Sequence, residues 1–157
     1  MSKEVYTVSQ ALDKAMKYCA YQERCHSEVR QRLNGFNLTE DERDQVIFEL
    51  IQEGFLSEER YSRAFVRGKF RMKQWGRKKI ILALRQKQVS ESCIQLGLNE
   101  IEDQEYNATL IQLIEKSIEK HKSLQPYQRK AKTAQNMIGK GFEAELVWDN
   151  LNTIIND

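Results

Sequence analysis

The sequence predicts an all-α protein, and three observations predict it. Proline occurs once and glycine seven times in 157 residues, so few positions interrupt a helix. Apolar residues recur at three- and four-residue spacing along almost the whole chain, the signature of helices with one buried face. The pattern also restarts about every 50 residues, the period of a small helical array. Three short helices bury little surface alone, and packing against a neighbouring set completes the core.

The first repeat is expected over residues 1–55. Val8, Ala11, Leu12, Ala15 and Cys19 fall on one helical face. A break follows near Glu23–Cys25. Ser27 is expected to cap a short second helix with Val29 and Leu33 inward. Thr39 and Glu42 have capping-box spacing and open a third helix with Val46, Ile47, Leu50 and Ile51 inward, which Gly54 stops.

The second repeat is expected over 56–100. Ser57, followed by Glu58 and Glu59, suits a helix start because carboxylates oppose the helix dipole there. Tyr61, Ala64, Phe65, Gly68 and Met72 make the expected apolar stripe. Ile80, Ile81 and Leu84 mark a short helix, and Ser90 opens another with Cys93, Ile94 and Leu98 inward. The third repeat, 101–157, has a long helix carrying Tyr106, Leu110, Leu113, Ile114 and Ile118. Pro126 breaks the chain. A short helix with Ala134, Met137 and Ile138 and a last one with Leu146, Val147, Leu151 and Ile154 complete it.

The ends of the three second helices align as Leu33-Asn-Gly-Phe-Asn-Leu38, Leu84-Arg-Gln-Lys-Gln-Val89 and Met137-Ile-Gly-Lys-Gly-Phe142. The fifth position is Asn37, Gln88 or Gly141. Asn and Gly tolerate a left-handed helix end; Gln is a poorer fit. The next helix is expected to begin at Thr39, Ser90 or Glu143.

The net charge of +2 conceals a strong segregation. Residues 40–59 carry eight acidic side chains against Arg43, whereas residues 60–89 carry eleven Lys or Arg and no Asp or Glu. Arg60, Arg63, Arg67 and Arg71 form one row on a helix. Lys69 and Lys73 widen it, and Arg77, Lys78 and Lys79 follow at the next helix start. Neighbouring like charges repel by a few tenths of a kcal/mol per pair, roughly, so an anionic partner is expected to neutralise them. A solvated helix face is the plain alternative; a run of thirty residues without an acid favours a binding surface.

Other chemistry is poorly supported. Cys19, Cys25 and Cys93 match no disulfide or zinc framework and read as reduced thiols of a cytosolic protein. His26 and His121 have no evident ligand set, so no metal or other cofactor is expected. Asp41, Glu42 and Asp44 read as first-turn carboxylates rather than a nuclease site. No Gly-rich phosphate loop or nucleophile–base pair stands out. Trp75 and Trp148 are candidate base-stacking platforms, with packing in a turn or core as the favoured reading. No apolar run is long enough to span a membrane, and MSKEVYTVSQ lacks the apolar core of a secretory signal.

Glu53-Gly-Phe-Leu-Ser-Glu-Glu-Arg-Tyr-Ser-Arg-Ala-Phe-Val-Arg67 resembles the central signature of the RecX regulatory family. So do Gly76-Arg-Lys-Lys-Ile80, Tyr21-Gln-Glu-Arg24, Ser27-Glu-Val-Arg30 and Gly139-Lys-Gly-Phe142-Glu143; the resemblance runs from about residue 9 to about 152. Gln88 departs from the family's usual glycine. The resemblance implies three tandem three-helix repeats in an elongated, curved, right-handed array. It implies a non-enzymatic, monomeric, cytoplasmic regulator that binds the RecA filament on single-stranded DNA. Such a regulator would lodge in the filament groove and inhibit the recombinase, ATPase and co-protease activities of RecA in DNA repair, recombination and the SOS response. The candidate contacts are Arg60, Arg63, Arg67, Lys69, Arg71, Lys73, Arg77, Lys78 and Lys79, with weak direct DNA contact among their expected roles. The rival reading is a stand-alone DNA-binding helical module.

Overall fold

The computed structural model describes residues 5–155. The first four residues of the N-terminal stretch considered above and the last two of the chain lie outside it. Among the described residues the chain is helical throughout: α1 (Val8–Tyr21), α2 (His26–Leu33), a 3-10 turn (Asn34–Phe36), α3 (Glu40–Gln52), α4 (Glu58–Arg71), α5 (Arg77–Gln86), α6 (Glu91–Leu98), α7 (Asp103–Lys120), α8 (Pro126–Gly139) and α9 (Ala144–Ile154).

The helix starts follow local chemistry. Thr7 and Thr39 each close a reciprocal capping box, with Gln10 and Glu42. The Ser57 and Ser90 hydroxyls accept the backbone N–H groups of Arg60 and Cys93. Ser27, by contrast, is not a cap. Cys25 occupies that position, and its N–H donates to the Glu28 carboxylate at 3.1 Å. The freed Ser27 hydroxyl donates to the carbonyl of Lys87 at 2.7 Å, tying α2 to the end of α5. Pro126 opens α8 rather than ending structure, because a first-turn proline forfeits no intrahelical bond.

All three aligned turns are left-handed, with φ 55° at Asn37, 62° at Gln88 and 99° at Gly141. Val89 and Phe142 then donate back to the carbonyls of Leu84 and Met137, closing the helix ends. Gln88 therefore adopts the turn despite carrying a Cβ.

The chain forms two compact units. One comprises the residues up to Phe65 together with Leu84–Gly97; the other comprises Val66–Ala83 and the residues from Leu98 onward. α4 and α5 contribute residues to both. The first unit is built on Ala11, Ala15, Val29, Leu33, Val46, Leu50 and Leu56. There Gly97 lies against Ser62 so tightly that a Cβ would come within 2.2 Å of its hydroxyl. In the second unit Phe70, Tyr106 and Phe142 form a continuous aromatic series, with ring centroids 5.7 and 5.1 Å apart.

Several expected core positions face outward. The buried stripe of α4 is Tyr61, Ser62, Val66 and Phe70, while Met72 is 83 % exposed and Phe65 only half-buried. The helix is rotated so that the row spaced by four from Ser62 points inward. Ile51, Ile138 and Ile154 are likewise exposed at the edges of their stripes.

A basic surface on α4 and α5

The arginine row is real, but most of its charge is met within the chain. Arg60 Nε lies 3.0 Å from Glu23, and its Nη2 donates to the carbonyl of Gly54 at 2.8 Å. Arg63 pairs with Glu59 one turn earlier at 3.1 Å. Arg67 reaches Glu100 at 3.0 Å and Arg71 reaches Glu105 at 3.5 Å. Spacing alone makes an anionic partner the expected relief for the repulsion in this row. Four glutamates, three of them distant in sequence, already provide it. Pairs this exposed contribute about 0–1 kcal/mol each, so they balance the row without locking it.

Arg77 is structural. Its guanidinium lies 3.8 Å from the centroid of the Tyr106 ring and pairs with Asp103 at 2.7 Å and Glu143 at 3.0 Å. The Tyr106 hydroxyl donates to Glu143 and accepts the Arg77 backbone N–H. Burial, then the Glu143 hydrogen bond, push the Tyr106 phenol well above its ordinary range. The start of α5 also meets the α8–α9 turn backbone to backbone: Gly76 N–H donates to Lys140 O and Lys78 N–H to Gly141 O. Neither glycine has room for a side chain there.

The lysines are different. Lys73 and Lys78 are exposed, and their ammonium groups have no carboxylate partner among the described residues. Lys69 and Lys79 place their ammonium groups 4.8 and 4.5 Å from the centroid of Trp75, which is half-buried in the α4–α5 turn. Trp148, expected to pack, is instead 39 % exposed on α9. Trp75 thus sits in a turn, as its residue type and position suggested, and carries two ammonium groups that the sequence did not place there.

Cys25 is buried, and desolvation raises its thiol pKa and that of Cys19, which suppresses thiolate chemistry. His26 lies 3.7 Å from Glu58, beside a cavity of about 450 Å³ that Cys93 also lines. Among the described residues no group of three or more His, Cys, Asp or Glu is arranged to hold a metal. No described helix is long and apolar enough to cross a membrane.

Nine α-helices in succession among the described residues, with a cation-rich segment over α4 and α5, point to a class: proteins made of consecutive three-helix domains. Family models for the first, second and third three-helix domains of RecX match residues 11–50, 57–98 and 103–150 in order. The chain belongs to the RecX family. The regulatory protein RecX of Lactobacillus gasseri is 28% identical over 144 residues, covering 92% of this chain and 53% of that protein. That of Prosthecochloris aestuarii is 26% identical over 149 residues, covering 94% and 95%. The chain spans about half the length of several curated relatives it matches, those of Lactobacillus gasseri and Leuconostoc citreum among them. The crystal structure of RecX from Lactobacillus salivarius has the same fold, with a TM-score of 0.87 at 22% identity over 94% of this chain and 96% of that one.

Proposed function

We propose that this protein binds the RecA filament on single-stranded DNA and inhibits its recombinase, ATPase and co-protease activities, as a non-enzymatic, monomeric regulator in the cytoplasm. Membership of the RecX family carries this reading, and the basic segment at residues 60–89 supplies it with a surface. Within that segment the roles divide. Arg60, Arg63, Arg67 and Arg71 have carboxylate partners in the chain that balance their charge, and Arg77 joins the helices around Tyr106. Lys73, Lys78 and Lys79 are the contacts offered outward. An ammonium is a mobile point charge that suits both RecA carboxylates and DNA phosphates.

Inhibition of single-stranded-DNA-dependent ATP hydrolysis by RecA tests this directly. The Lys73→Gln, Lys78→Gln, Lys79→Gln triple variant is expected to melt like the wild type and to need at least tenfold more protein for half-inhibition. Full inhibition by that variant would remove the lysines from the mechanism. Tight, sequence-specific duplex binding without RecA would overturn the regulatory reading in favour of a DNA-binding module.

A further inference from the structure

Trp75 is held from both sides by the backbone. Gln74 before it is left-handed at φ 56°. Gly76 after it is fixed by its bond to Lys140 O at 2.8 Å and by a packing gap that would place a Cβ 2.2 Å from Gly141 C. The half-buried indole therefore has a set position, with two ammonium groups over its ring. Lys73 and Lys78, exposed and without carboxylate partners among the described residues, stand in the same ten-residue stretch.

We infer that Trp75 with Lys69, Lys73, Lys78 and Lys79 forms a binding site for single-stranded nucleic acid, in which one base stacks on the indole and the lysines take the flanking phosphates. An ammonium over a partly exposed ring is held more weakly than a stacked base. Moving Lys79 from the ring to an adjacent phosphate exchanges the weaker contact for two stronger ones. A base stacks on an aromatic face whatever its identity, so the site is sequence-tolerant. A duplex keeps its bases stacked inside and cannot use the ring. An acidic peptide would engage the lysines and leave the indole without a role. The inference deepens the regulatory reading by assigning its nucleic-acid contact, and the test omits RecA so that the two can fail separately.

The chain has two tryptophans, so Trp148→Phe leaves Trp75 as the sole indole reporter. Titration of this variant with oligothymidylate at low salt is expected to quench its fluorescence. The affinity should fall with salt at a log–log slope of about −2 to −3, as about −0.7 per phosphate predicts for three or four contacts. Trp75→Phe should bind nearly as well, since a phenyl ring still stacks. Trp75→Ala should bind about tenfold more weakly with the salt slope unchanged, and Lys73→Gln with Lys78→Gln should reduce the slope by about 1.4. Binding without quenching, equal binding by a folded Trp75→Ala, equal quenching by a duplex, or no binding at all would each overturn the site. Should Trp75→Ala not fold, the quench and the lysine slope decide alone. Intact quenching together with no inhibition of RecA would remove the regulatory reading and leave the site standing.

Discussion

At the residue scale, two glycines with opposite surroundings separate close packing from backbone conformation. Gly76 has an ordinary φ but no room: an added Cβ would lie 2.2 Å from Gly141 C and 2.3 Å from Phe142 N. Both neighbours are backbone and cannot step aside, so the bonds to Lys140 and Gly141 would part. Gly76→Ala is expected to destabilise the second unit by about 3–5 kcal/mol, the sum of overpacking and two lost hydrogen bonds. Gly54 is the reverse, left-handed at φ 78° with open space around it, and Gly54→Ala is expected to cost about 1 kcal/mol. Chemical denaturation of the two variants checks the ranking, and equal losses would contradict the close-packed turn. Gln88 provides a complementary case. Its φ of 62° places a Cβ where glycine would be unstrained, so Gln88→Gly is expected to raise stability by about 1 kcal/mol. A lower midpoint in the same denaturation would show that the Gln88 side chain, not its backbone, matters there.

At the element scale, α4 shows how much could be read in advance and what could not. Its start, its amphipathic character and its arginine row follow from spacing in the sequence. The direction of the buried stripe did not, because Val66 and Phe70 compete with Phe65 and Met72 for the interior on rows only one residue apart. The partners of the arginines were also illegible. Glu23, Glu100 and Glu105 lie 37, 33 and 34 positions from the residues they pair with, and only the folded chain brings them together. The turns read best, because left-handed backbone selects Asn or Gly locally; Gln88 shows the preference overridden by the repeat around it. The pairing has a measurable consequence. Arg67→Gln with Arg71→Gln removes two half-exposed ion pairs and should lower stability by no more than about 1–2 kcal/mol, with the loss shrinking at high salt. The same double variant should retain more inhibition of RecA than the lysine triple variant. The reverse order of inhibition would return the arginines to the contact surface.

At the scale of the whole molecule, each compact unit contains one buried tyrosine whose neutral form the fold requires. Tyr61 in the first unit is 7% exposed and Tyr106 in the second 1%. Burial raises both phenols well above the ordinary value, reinforced at Tyr61 by the Glu28 charge and at Tyr106 by the Glu143 hydrogen bond. In the unfolded chain both ionise near about 10. Because the folded values are the higher ones, the contribution of each tyrosine to stability is complete below about pH 10 and is lost as pH rises beyond it. Above that point each should remove up to about 1.4 kcal/mol per pH unit. Thermal melting is therefore expected to be level on this account through neutral and mildly alkaline pH and to fall steeply above about pH 10. The phenolate absorbance of Tyr61 and Tyr106 should appear together with the loss of helical circular dichroism rather than before it. Tyr61→Phe and Tyr106→Phe should each flatten the alkaline descent. Tyr106→Phe should also lower stability at neutral pH, since it leaves the Arg77 N–H and one Glu143 oxygen without their shared partner. Complete titration of all six tyrosines with the helices still intact would show that neither ring is sealed in its core.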